Sequence, residues 1–212
     1  MILTIIGMSG AGKTTLAKQL SENGFRYYGC DDLIENKLHK EFKALNLNGI
    51  NDVSRWMGQP FDQRYGKTSR SYLDFEQQAM EEIIGDITSS SPYKHTVIDT
   101  TGSVIYINKN ILRKLKKLTK VIYLKISKEL EEQMFKMYLK DPKPVVWGKM
   151  YQQKANEDPY DALKRCYRNL LRFRSRQYQE YADSTIENFL INQKYYVSRI
   201  IDQAQLYEVL QS

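Results

Sequence analysis

The segment GMSGAGKTT, residues 7–15, constrains this chain more than any other. It satisfies G-x-x-x-x-G-K-[ST] at every fixed position, with Gly7, Gly12, Lys13 and Thr14. An apolar run at residues 2–6 precedes it, and a helical pattern at 14–22 follows, with Leu16 and Leu20 one turn apart. Glycines at 7, 10 and 12 let successive backbone N–H groups turn toward one concavity, and a helix start adds its positive end. Such a loop holds phosphates. The expected nucleotide-binding set is Gly7, Ser9, Gly10, Ala11, Gly12, Lys13, Thr14 and Thr15. Lys13 is expected to reach the β- and γ-phosphates of ATP, and the Thr14 hydroxyl to ligate Mg²⁺.

Beyond the loop, short apolar runs alternate with helical patterns. Strands are expected at 2–6, 25–28, within 95–102, at 121–127 and, more weakly, at 184–189. Helical spacing occupies 34–45, 72–87, 111–118, 128–139, 159–181 and 197–210. Alternation of this kind predicts an α/β fold with a five-stranded parallel sheet flanked by helices, its ligands at the carboxyl ends of the strands. Residues 46–71 and 140–158 show no clear period, and SSSPY at 89–93 reads as a turn. At 212 residues, a single domain is expected.

The net charge of +7 suits an anionic ligand. Much of it lies in 108–128, read as a solvated helix face over Ile111, Leu112, Leu115 and Leu118 rather than as a nucleic-acid patch. No run of eighteen apolar residues occurs, so no membrane span is expected. MILTIIG has neither a basic start nor a cleavage site, so Cys30 and Cys166 are expected as reduced thiols in a cytoplasmic protein. His39 and His95 stand alone, which argues against a histidine metal site.

Several landmarks, in order along residues 1–190, together resemble the shikimate kinases among the P-loop kinases of small molecules. IIGMSGAGKTTLAKQL looks like that family's opening strand, loop and helix, and FRYYGCDDLIE (25–35) like its second strand and acidic segment. SYLDFEQQAMEEII (71–84) looks like the helix lining its acceptor site, and TVIDTTGSVI (96–105) stands where the family has a strand ending in three glycines. VIYLKIS is close to its fourth strand, KPVVWG (143–148) falls where Arg-Pro opens the lid, and RSRQYQEYAD (174–183) resembles its late Arg-x-x-x-Tyr helix. The resemblance implies a three-layer P-loop kinase domain over 1–212, with an acceptor-binding helical insertion at about 33–85 and a lid at about 140–158. It also shows departures. Gly29 stands for the magnesium-linked aspartate, Gly102 for the triple glycine, Lys143 for the lid arginine, and Leu73 near the acceptor-helix arginine, with Arg70 one turn earlier. Shikimate itself is therefore expected to be a poor acceptor.

Asp31 is the candidate to orient the acceptor hydroxyl or accept its proton, and Asp32 the candidate helix N-cap, although the two roles can coexist. Asp99 ends an apolar strand where an acid supports Mg²⁺ in many P-loop enzymes, or else is a turn former. Arg174 and Lys143 are the candidates for phosphate contacts, Arg70 for an acidic group on the acceptor, and Gly102 for a close backbone approach to it. Trp56, Tyr65 and Tyr72 are either local core or a stacking surface. The catalytic candidates are thus Lys13, Asp31, Asp99 and Arg174, and the metal-binding pair is Thr14 and Asp99.

The leading function is ATP- and Mg²⁺-dependent phosphoryl transfer to a hydroxyl of a small molecule, by a monomer or weak dimer. A nucleoside or nucleotide kinase is the second reading, and a non-catalytic nucleotide-binding module the third.

Overall fold

The computed structural model describes residues 1–44, 50–89 and 94–209. The turn expected at 89–93 and the junction at 45–49 fall largely outside these residues.

Five strands form one sheet: β1 Ile2–Gly7, β2 Arg26–Gly29, β3 Thr96–Asp99, β4 Lys120–Lys125 and β5 Ser184–Glu187. Their spatial order is β2-β3-β1-β4-β5, and each pairing is parallel. Parallel strands covered by helices on both faces need apolar side chains on both sides. β1 and β3 meet this demand, since only Ile2 among their residues is less than fully buried. β1 lies between β3 and β4, so the chain leaves it toward one side at β2 and later fills the other side at β4. A crevice opens outside the carboxyl ends at such a reversal.

The helices are α1 Lys13–Glu22, α2 Cys30–Ala44, α3 Ile50–Met57, α4 Tyr65–Thr88, α5 Lys109–Leu118, α6 Lys128–Lys140, α7 Pro159–Tyr181 and α8 Gln193–Val209. Local chemistry sets several starts. The Asn108 side chain caps α5 by accepting from Asn110 N, and Ser127 caps α6 by accepting from Leu130 N. Asp158 caps α7 by accepting from Tyr160 N and Asp161 N, with Pro159 in the first turn, where its missing N–H costs nothing. On α5, Leu112 and Leu115 are buried and the lysines lie outward, so the basic segment is a helix face as expected, although Leu118 is 36% exposed.

Two expectations differ from the structure. Residues 46–71 are not simply irregular: α3 lies there, and α4 begins at Tyr65 rather than 72. Val53, Trp56 and Met57, at helical spacing, bury one face of α3 against α2 and α4, while the surrounding Asn, Gly and Gln mask that pattern in the sequence. In addition, α2 begins at Cys30, so Asp31 and Asp32 both lie inside its first turn and Asp32 is not the cap. Their charges still complement the positive end of the helix.

The segment between α6 and α7 is extended and fastened by its middle. Trp147 is fully buried and meets Tyr138 and Tyr167 edge-on, and those two rings stack at 3.7 Å. The Tyr65 hydroxyl donates to Val145 O and accepts from Trp147 N, each at 2.9 Å, which ties this segment to the start of α4. Trp56 and Tyr65 thus pack as structure, whereas Tyr72 faces the site described next. No helix among the described residues is long and apolar enough to cross a membrane.

Candidate active site

The glycine loop lies at the carboxyl end of β1 and runs directly into α1. Gly12 has φ +93°, and a Cβ there would meet Leu190 Cδ2 at 2.7 Å and Phe189 Cδ1 at 2.8 Å, so both the turn and the packing require glycine. Ser9, Gly10, Thr14 and Thr15 are exposed around it, while Ala11 is buried beneath. Lys13 is buried, and its Nζ donates to Met8 O at 3.1 Å. Burial pushes the Lys13 ammonium below its ordinary pKa, opposed by the Asp99 and Asp31 carboxylates.

Strand pairing brings Asp99, the last residue of β3, level with Ile5 of β1 on one side and Gly29 of β2 on the other. The Thr14 hydroxyl donates to Asp99 Oδ2 at 2.6 Å, and Asp99 Oδ1 is buried without a protein partner. Burial raises the Asp99 pKa, countered by the Thr14 hydrogen bond and by Lys13. In front of Gly29, the Asp32 carboxylate and the Tyr27 hydroxyl fill the space that a side chain at position 29 would need.

Asp31 lines a cavity of about 190 Å³ together with Ser9, Lys13, Gly102 and Arg174. Its pKa is raised by burial and lowered in turn by Lys13. Ile34, Val53, Met57 and Val146 supply apolar wall, and Tyr72, Thr101 and Ser103 polar wall. Gly102 earns its place by proximity: a Cβ there would lie 3.3 Å from Ser9 N and 3.5 Å from Arg174 Nη1. Arg174 is buried. Its Nη2 donates to Val146 O at 2.6 Å, and its Nε is buried without a protein partner.

Lys13, Asp31, Gly102 and Arg174 therefore converge on one cavity, with Thr14 and Asp99 paired beside the loop. Arg70 and Lys143 do not join them. Arg70 is exposed on α4 with its Nε bonded to Gly66 O at 2.7 Å, and Lys143 is exposed on the segment before α7. Among the described residues no group of three or more His, Cys, Asp or Glu could hold a metal, and both cysteines are free and buried.

Sequence reasoning passed over Glu76. It is fully buried and accepts hydrogen bonds from the Thr101 hydroxyl and, at 2.7 Å, from the Ser103 hydroxyl. A signal was present. Glu76, Ala79, Met80, Ile83 and Ile84 follow i, i+3, i+4, i+7, i+8 and are all buried, so Glu76 is a charge on the apolar stripe of α4.

The all-parallel sheet with its loop and flanking helices is the P-loop kinase fold. It is shared with shikimate kinase from Acinetobacter baumannii, solved in complex with shikimate, at a TM-score of 0.53 and 24% identity over 88% of this chain and 83% of that one. Shikimate kinase from Bacteroides thetaiotaomicron superposes at a TM-score of 0.58 with 15% identity, over 100% of this chain and 99% of the other. Dephospho-CoA kinase from Campylobacter jejuni does so at 0.53 with 12% identity, over 95% and 96%. No protein-family model matches the chain, and no curated protein matches its sequence.

Proposed function

We propose that this protein is an ATP- and Mg²⁺-dependent kinase that transfers the γ-phosphoryl group to a hydroxyl of a small molecule. The observation that carries the reading is the convergence of loop, acid and cation on one cavity: Ser9 and Lys13 on one wall, Asp31 on another, Arg174 on a third. Phosphoryl transfer asks mainly for positioning and for neutralisation of the moving charge, and this set provides both.

The donor set suits Mg²⁺. The ion takes hard oxygen ligands and keeps several waters, so one hydroxyl and one carboxylate suffice on the protein side. Thr14 Oγ1 and the unpartnered Asp99 Oδ1 supply them, with Asp32 nearby. When bound, the ion would neutralise phosphate charge. The loop amides from Ser9 to Thr15 hold the donor phosphates, Lys13 and Arg174 offset negative charge, and Asp31 accepts a hydrogen bond from the acceptor hydroxyl. An acidic group on the acceptor meets Arg174 rather than Arg70, because Arg174 lines the cavity and Arg70 does not. The segment at about 140–158 acts as the lid, with Pro144–Val146 as its cavity-facing part.

The test is ATP consumption with Mg²⁺ against a metabolite panel of shikimate, polyols, sugars and nucleosides. Acceptor-dependent ADP release with a phosphorylated alcohol as product is expected. ATP binding with no acceptor-dependent turnover across the panel would favour a non-catalytic nucleotide switch.

A further inference from the structure

Glu76 lies directly behind the Thr101–Ser103 turn, which forms the cavity wall beside the phosphate loop. Thr101 and Ser103, which bracket Gly102, both donate their hydroxyls to it. The two hydroxyls also lie 2.9 Å from each other, and Ser103 N donates to Thr101 Oγ1 at 3.0 Å. On the other side, the Tyr178 hydroxyl donates to Gly102 O at 2.5 Å. The backbone at Gly102 is thereby pinned from both flanks, close to Ser9 N and Arg174 Nη1.

We propose that Glu76 is a positioning residue that sets the Thr101–Gly102–Ser103 wall against the phosphate loop, and that its protonation state tunes how well the cavity holds the acceptor. This rests on the kinase reading for its catalytic readout. Ionised, the carboxylate accepts both hydroxyl protons. Protonated, it donates to one hydroxyl and accepts from the other, and both contacts lose the strength that a charged acceptor gives them, so the turn is held less firmly. A fully buried carboxylate without a cation in contact is costly to ionise. Its surroundings agree: burial raises the Glu76 pKa to about 7, against the two hydroxyl bonds, which lower it. The ionisable groups facing it are Asp31 and Cys30 from α2, Tyr72 from its own helix, and Arg174 and Tyr178 from α7.

Two measurements test this, and the first needs neither nucleotide nor acceptor. Amide ¹⁵N shifts of Gly102 and Ser103 in the full chain should titrate with a midpoint near the Glu76 value of about 7 and stay flat in Glu76→Gln. Ser103→Ala, which keeps the carboxylate but removes a bond favouring its charged form, should move that midpoint upward. If Glu76→Gln does not fold, the wild-type titration and the Ser103→Ala shift carry the test alone. The second uses the best acceptor from the ATP-consumption panel. Its KM should fall severalfold between pH 6 and 8 in the wild type and not in Glu76→Gln, with the KM for ATP alike in both. Flat Gly102 and Ser103 resonances in the wild type overturn the proposal, and so does a pH profile of acceptor KM that Glu76→Gln leaves unchanged. Failure of phosphoryl transfer with an intact amide titration would strike the kinase reading instead and leave the positioning role of Glu76 standing.

Discussion

The proposed phosphate and acceptor ends of the cavity are built in different ways. The phosphate end comes from one continuous stretch, β1 through α1, plus the ends of neighbouring strands. The acceptor end is gathered from α2, α3, α4, the turn after β3, the segment before α7, and α7 itself. The first kind of site is written in local sequence, because glycine spacing, a preceding strand and a following helix determine where backbone N–H groups point. The second depends on where distant segments meet. Substitutions at the phosphate end should act through single atoms, and those at the acceptor end through packing as well.

The largest effect expected is at Lys13. Lys13→Ala removes the buried cation proposed to meet the donor phosphates and should lower kcat by about 10³-fold while leaving the melting temperature close to wild type. Turnover near wild type in that variant would break the assignment of the phosphate end.

Asp99→Asn should lower kcat by roughly 10- to 100-fold and raise the Mg²⁺ concentration for half-maximal rate, since the neutral amide is a poorer ligand for a hard cation. An Mg²⁺ titration that superimposes on wild type would return Asp99 to the role of a strand-end turn former.

At the acceptor end, stability itself should depend on pH. The folded pKa of Glu76, about 7, lies above its ordinary 4.5. The folded state therefore binds the proton more tightly than the unfolded state does. Stability from this group is full below pH 4.5 and is lost as pH rises through 7, by about 3 kcal/mol for a shift of this size. Urea melts at pH 5 and pH 8 should show the loss in wild type and a smaller one in Glu76→Gln. Equal pH dependence in both proteins would mean that another group carries it.

The smallest effect is expected at Arg70. Because its side chain is exposed and bonded back to its own helix, Arg70→Ala should change kcat/KM for any acceptor by less than about twofold. A larger loss, confined to acidic acceptors, would bring Arg70 back into the site.

How much could be read in advance follows the same division. The parallel sheet, the loop, Lys13 and the Thr14–Asp99 pair were legible, since apolar runs and glycine spacing are local signals. Arg174 was legible through the resemblance of its helix. Arg70 lies one turn before the position where the resemblance expects an arginine, but α4 begins at Tyr65 and turns that side chain outward. α3 was hidden by its polar setting. The first turn of α2 is obscured because Cys30 gives no cap signal, so the sequence offers Asp32 as the cap, whereas its carboxylate fills the space in front of Gly29. Glu76 could have been found, as a single acid on an otherwise apolar helical stripe.

In the proposed kinase, donor phosphate and acceptor hydroxyl meet at Asp31. Single-turnover transfer from γ-labelled ATP to the best acceptor, compared in wild type and Asp31→Asn, tests it most directly. Asp31→Asn should slow transfer by about 10²-fold or more with little change in the affinity for ATP, because it removes orientation and proton acceptance at the hydroxyl while the loop amides remain. Transfer at the wild-type rate in Asp31→Asn would contradict it.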